Sequence, residues 1–408
     1  FDVYYQSIET VTPKAGTAAP STGSKAPWEM ALPAGKLTNR LLSYSNKPHD
    51  LTIKRLPKKA RKIAEGRSDV NTSASGNKYR VNRVKITSEA QLLGLMGAAD
   101  GDLSKLTDGQ KGLLELFRFS QRPTFLERMK SGFRDKVALT LTDTNGHNDD
   151  DVIRDFWPYS SGEEIQFNSG YLNRSDYQDI AQSVLVHEAA HTLDKTWQER
   201  DNPYGPDGYH YANEVTRPKA AFQEGWAELV QMFFFPSYAT YIKEILENIK
   251  IETTSGVYNE VKATELSANQ LLRVEGFNAL IMYRIAKELP GGEDMLFKSF
   301  MATNQHERDL SNVLQNMIEK NPAQAQAILR IFNEVTMNKL SDVELKGYLG
   351  NSNAVKTFLV TRKDLLASAT AAIGTGTVVI SDKPIPDTGK VIKLNADKTA
   401  SENPYEGQ

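Results

Sequence analysis

A chain of 408 residues, 39% hydrophobic and 25% charged, has the composition of a soluble globular protein with room for two or more subdomains. Its net charge of −2 leaves no electrostatic footprint for nucleic acid, and no apolar run approaches the length of a membrane span. The absence of Cys excludes disulfides, thiolate metal sites and a Cys nucleophile.

Residues 1–80 read as an N-terminal extension. Thr12 to Ser24 is linker-like, and Lys54 to Lys62 is a basic run that reads as solvated surface. An upper subdomain is expected over 81–198. It opens with helical spacing at Ala90, Leu92, Leu93, Leu95 and Met96, then at Leu113, Leu114, Leu116 and Phe117. Lys136 to Thr142 alternates like a half-buried strand. The acidic segment Asp143 to Asp151 has Asn148 where an EF-hand needs Gly, so it reads as a solvated loop. Glu164 to Asn168 reads as a second strand, placed to pair with an extended peptide. Ser175 with Gln178 forms a capping box for a helix running to about Lys195.

A helical lower subdomain is expected over 199–366. Its first helix begins near Thr216 with Pro218 in the opening turn and stops at Pro236. Residues 240–366 read mostly as amphipathic helices. The tail, 367–408, reads as a hairpin built from Thr377 to Ile380 and Val391 to Leu394, with a polar end.

The helix after Ser175 carries His187-Glu188-Ala189-Ala190-His191, an H-E-x-x-H motif. Two imidazoles four residues apart project from one helix face and can share one metal ion. Glu188 then stands where a general base is needed, beside the water such a metal holds. The chain has six His, and two of them are here. Their neighbours Val184, Leu185 and Val186 are apolar, so three titratable groups enter a buried stretch where they need partners.

Catalytic zinc sites use three protein ligands. A metzincin would place Gly and His three and six residues after the second His, where this chain has Asp194 and Trp197, so that class is excluded. Asp194 and His210 are near candidates for the third ligand. Glu224 is the preferred one, with Glu228 one helical turn later to accept the outer N–H of a ligating imidazole.

Together with the H-E-x-x-H helix, Gln223-Glu224-Gly225-Trp226-Ala227-Glu228 resembles the gluzincin metallopeptidases. It is similar to the N-E-G-F-A segment of the aminopeptidase N family and to the Glu-x-x-x-Glu of the anthrax lethal factor peptidase domain. The resemblance spans about residues 165 to 235. It implies Zn2+ held by His187, His191 and Glu224, and an α+β, zincin-like fold with a small mixed sheet over the metal helix. It also implies a Tyr or His that stabilises the oxyanion, for which Tyr209 and Tyr211 are the candidates. Aminopeptidases carry a G-x-M-E-N segment that reads the free amino terminus; it is missing here, and Arg273 stands where they have Tyr. The expected activity is therefore a zinc-dependent endopeptidase on protein or peptide substrates, with Glu188 as general base. An aminopeptidase and a non-catalytic zincin-fold binding or adhesion module are the alternatives. No membrane span or nucleic-acid partner is expected. The lack of Cys does not settle the compartment; starting at Phe1 rather than Met, the chain reads as a processed or trimmed product, and an exported bacterial protein, secreted or at the cell surface, is expected.

Overall fold

The structure, a computed structural model, describes residues 1–10, 66–67, 71–72, 78–132, 137–144, 159–160, 164–173, 180–192, 211–252, 258–304 and 307–373. These form an α+β protein that divides into two compact units, one up to Tyr211 and one from Ala212 onward. The linker-like stretch, the basic run and the tail hairpin lie outside the described residues.

Among the described residues of the first unit, seven strands form one mixed sheet. They are β1 (Asp2–Thr10), β2 (Gly66–Arg67), β3 (Asn71–Thr72), β4 (Lys78–Ile86), β5 (Ala138–Asp143), β6 (Tyr159–Ser160) and β7 (Glu164–Asn168). The order is β2-β4-β1-β5-β7-β6, with β3 also on β4. The first ten residues, part of the segment read as an extension, thus supply a central strand. β1 runs antiparallel to β4 and parallel to β5, and β5 runs parallel to β7. β7 is no free edge, since β6 pairs antiparallel with Ile165 and Gln166.

Register puts Val3 beside Leu139 and Ile165, and Tyr5 beside Leu141 and Phe167, so one sheet face is an apolar row. The opposite face carries Gln6, Thr140, Thr142, Gln166 and Asn168, polar and buried. There Arg83 stacks over the Tyr4 ring at 4.3 Å and bonds the Glu164 carboxylate at 2.7 Å. β4 leads into α1 (Glu89–Leu95), followed by α2 (Asp108–Ser120) and α3 (Pro123–Gly132). A full capping box of Thr107 and Gln110 starts α2, which packs on β5 and β7 through Leu113, Leu116 and Phe117. Only glycine fits at 109, because a Cβ there would meet the Ser169 carbonyl oxygen at 2.0 Å.

Asp143 is not the opening residue of a solvated loop. It is 2% exposed and accepts from Tyr5 Oη and Gln110 Nε2, both at 2.8 Å, and from Ser169 Oγ at 3.2 Å. One carboxylate therefore ties β1, α2, β5 and the short α4 (Ser169–Leu172) together. Burial and the Asp143 charge both push the Tyr5 phenol far up from its ordinary range, so it stays a donor. Behind α4 comes α5 (Ala181–His191), packed on α2, β6 and β7. Residues 184 to 191 are buried without exception, so the helix is enclosed on every side. The capping box expected at Ser175 falls outside the described residues, and the described helix has no side-chain cap.

In the second unit, residues 212–216 are laced to two other segments. Lys250 N–H donates to Asn213 O at 2.8 Å, Thr216 N–H to Arg273 O at 2.8 Å, and Gly276 N–H to Ala212 O at 2.8 Å. This fixes the start of α6 (Pro218–Phe234), which has Pro in its first turn and gives way to α7 (Pro236–Ile245). An antiparallel hairpin, β8 (Asn248–Glu252) with β9 (Tyr258–Lys262), interrupts the stretch expected to be helical. Then come α8 (Ala268–Leu271), α9 (Glu275–Glu288), α10 (Gly292–Ala302), α11 (Leu310–Lys320), α12 (Ala325–Val335), α13 (Asp342–Leu349) and α14 (Asn353–Ile373). α6 packs along α9, and Trp226 stacks on Phe300 of α10 at 3.7 Å and 12°. Arg308 covers the other face of this pair, 4.1 Å over the Phe300 ring. Among the described residues no helix is long and apolar enough to cross a membrane.

Tyr5→Phe removes one donor from a buried carboxylate while keeping the ring. Unfolding in urea should show a loss of about 1.5–3 kcal/mol with an unchanged slope. An unshifted midpoint would mean that Asp143 is held without Tyr5.

Candidate metal centre

α5 presents its two imidazoles on one face. The His187 and His191 rings are 4.8 Å apart, centre to centre, at 76° to each other. Four residues is just over one helical turn, and the helix ends on His191, where Thr192 closes it by donating Oγ1–H to Ala189 O at 2.7 Å. Glu188 lies between them in sequence and is equally enclosed; the three side chains are 3%, 5% and 5% exposed.

Glu224 joins this pair. One ligand atom from each of His187, His191 and Glu224 lies within 4.8 Å of the others, and all three residues are buried. Two imidazoles and one carboxylate form a mixed nitrogen and oxygen donor set suited to a divalent transition metal. Clustering them away from water is costly unless their lone pairs are engaged, and a shared cation engages all three at once. The group can therefore hold a metal ion.

Glu224 owes its place to α6, an apolar helix with an unbroken buried run from Ala220 to Met232. Gln223, Glu224, Glu228 and Gln231 are polar residues inside that run, each at most 4% exposed. Spacing of four puts Glu224 and Glu228 on one face. Half-buried Tyr241 of α7 lies in the field of Glu228. Its phenol is pushed up to about 12, by burial first and by the Glu228 charge second.

Of the remaining sequence candidates, Tyr211 is half-buried, immediately before the residue whose carbonyl anchors the start of α9. Tyr209, His210 and Asp194 lie outside the described residues. Sequence reasoning missed Tyr241, because only the docking of α7 brings it towards Glu228 and no local pattern marks that. Compared with models of known protein families, with curated proteins and with solved structures, the chain matches none.

Two outcomes follow. Glu224→Ala should strip metal from the dialysed protein by elemental analysis, whereas an unchanged metal content would place the third ligand elsewhere. Tyr241 has a raised folded-state pKa, so its contribution to stability is complete below the ordinary phenol value near 10 and is lost as pH rises towards about 12. Denaturant titrations across that window should fall less steeply for Tyr241→Phe than for the parent. Equal slopes would contradict the perturbed phenol.

Proposed function

We propose that this protein is a zinc-dependent endopeptidase of the gluzincin type. The buried His187, His191 and Glu224 group carries the reading, since this donor set is that of catalytic zinc rather than of a closed structural site. Glu188 supports it further, because a purely structural site has no use for a buried carboxylate beside its first ligand. The architecture agrees with a zincin-like fold: parallel strands β1, β5 and β7, a short antiparallel β6, and the histidine helix packed on β6 and β7.

His187, His191 and Glu224 would hold the ion through ring nitrogens and a carboxylate oxygen. Bound there, zinc supplies Lewis acidity and a nucleophilic water at neutral pH. Glu188 takes the proton from the attacking water onto its carboxylate and delivers it to the amine of the departing strand. Its enclosed position keeps bulk water from competing for that proton. Glu228, one helical turn beyond Glu224, would be the carboxylate to fix the tautomer of a ligating imidazole. A phenol, from Tyr211 or Tyr209, donates to the oxygen of the scissile carbonyl as charge develops on it. The substrate is a protein or extended peptide. The missing amino-terminus reader argues for cleavage within the chain.

Glu188→Gln keeps the shape and removes the base. Cleavage of casein should fall by about 10²- to 10⁴-fold while metal content stays the same. Full activity in this variant would remove Glu188 from the mechanism. Parent protein that cuts amino-terminally blocked peptides acts as an endopeptidase, whereas one that cuts only free amino termini is an aminopeptidase.

A further inference from the structure

At Gly225 the helix that bears Glu224 meets α9 with no side chain of its own in between. A Cβ built on Gly225 would lie 2.7 Å from the Glu275 carbonyl oxygen, 2.7 Å from Asn278 Cβ and 3.2 Å from the Ala279 nitrogen. Two of these three atoms are backbone, so rotating a side chain does not relieve the clash. Gly225 follows Glu224 directly, and α6 and α9 are in contact over much of their length. The partner surface is itself fixed. Asn278 Nδ2 donates to Leu272 O at 3.0 Å and to Val274 O at 2.9 Å, locking the first turn of α9 onto the residues that precede it. Asn278 is 1% exposed, and among the described residues its Oδ1 has no hydrogen-bond partner. A buried acceptor left unmatched is a penalty that packing alone does not require. On the neighbouring side of α6, the Trp226 stack on Phe300 resists any outward shift.

We propose that Gly225 and Asn278 are positioning residues for Glu224, setting the depth at which its carboxylate stands from α9, an inference that rests on Glu224 being a metal ligand. A methyl group at 225 moves α6 off α9 by a fraction of an ångström to an ångström. A metal ligand bond tolerates about 0.2 Å. Zinc affinity should therefore respond far more sharply than folding does. Gly292 provides the comparison. A Cβ there would meet the Ile285 carbonyl oxygen at 2.2 Å and Ala286 Cα at 3.0 Å, a clash at least as severe, at the start of α10 and away from Glu224 in the sequence.

The experiment measures zinc affinity of the full chain by competition with a chromophoric chelator, alongside thermal unfolding of the metal-free protein. Gly225→Ala and Asn278→Ala should each weaken zinc by about 10- to 100-fold, the usual effect of losing a residue that orients a ligand. Gly292→Ala should lose at least as much thermal stability and keep the parent's zinc affinity. If Gly225→Ala does not fold, Asn278→Ala, which adds no atom, carries the comparison. Parent-like affinity in both Gly225→Ala and Asn278→Ala, or equal weakening in Gly292→Ala, overturns the proposal. A parent protein that binds no zinc removes the Glu224 reading itself, and the positioning role falls with it.

Discussion

Burying ionisable groups inside apolar helices is the constraint on which this molecule turns. α5 and α6 are enclosed along most of their length, yet between them they carry His187, Glu188, His191, Glu224 and Glu228, none more than 5% exposed. An isolated charge in such surroundings shifts its pKa or unfolds its helix, so each of these groups needs a partner or a cation. A site that gathers two imidazoles and a carboxylate is one solution. In the proposed peptidase such burial would also serve chemistry, because exclusion of water strengthens the pull of a bound cation on a nearby carbonyl.

The scaffold around these helices is built for precision of the same kind. In the first unit the Asp143 carboxylate draws β1, α2 and α4 to one point, and Gly109 lets α2 rest on the backbone at Ser169. In the second, residues 212–216 are threaded between β8 and the start of α9 before α6 begins. These are backbone and buried-polar contacts, which have narrower tolerances than the contacts among aliphatic side chains. A side chain carried on such supports has little freedom to drift.

Much of this was legible in the chain itself. Helical spacing placed both imidazoles on one face, Pro218 and Pro236 bounded α6, and Glu164 to Asn168 is a strand at the expected residues. Glu224 was conspicuous as a carboxylate inside an apolar helix. What escaped was long-range. β1 lies in a segment whose neighbours look like linker, and its partners Leu139 and Leu141 come much later in the chain, so nothing local announced a central strand. β8, Asn248-Ile249-Lys250-Ile251-Glu252, is only five residues long and lies between amphipathic helices, so the helical reading of 240–366 passes over it. Asp143 looked like loop chemistry because the donors that bury it, Tyr5 and Gln110, are remote in sequence. Gly225 carried no signal beyond its identity, since the need for a missing Cβ exists only once α9 is in place.

The proposed zinc site stands or falls on whether His187, His191 and Glu224 bind the ion together. X-ray absorption at the zinc edge of the zinc-loaded protein reads that shell directly. Four nitrogen and oxygen ligands at about 2.0–2.1 Å, with the outer-shell scattering of two imidazole rings, are the expected result. A shell without imidazole scattering, or a six-coordinate shell of water, would contradict it.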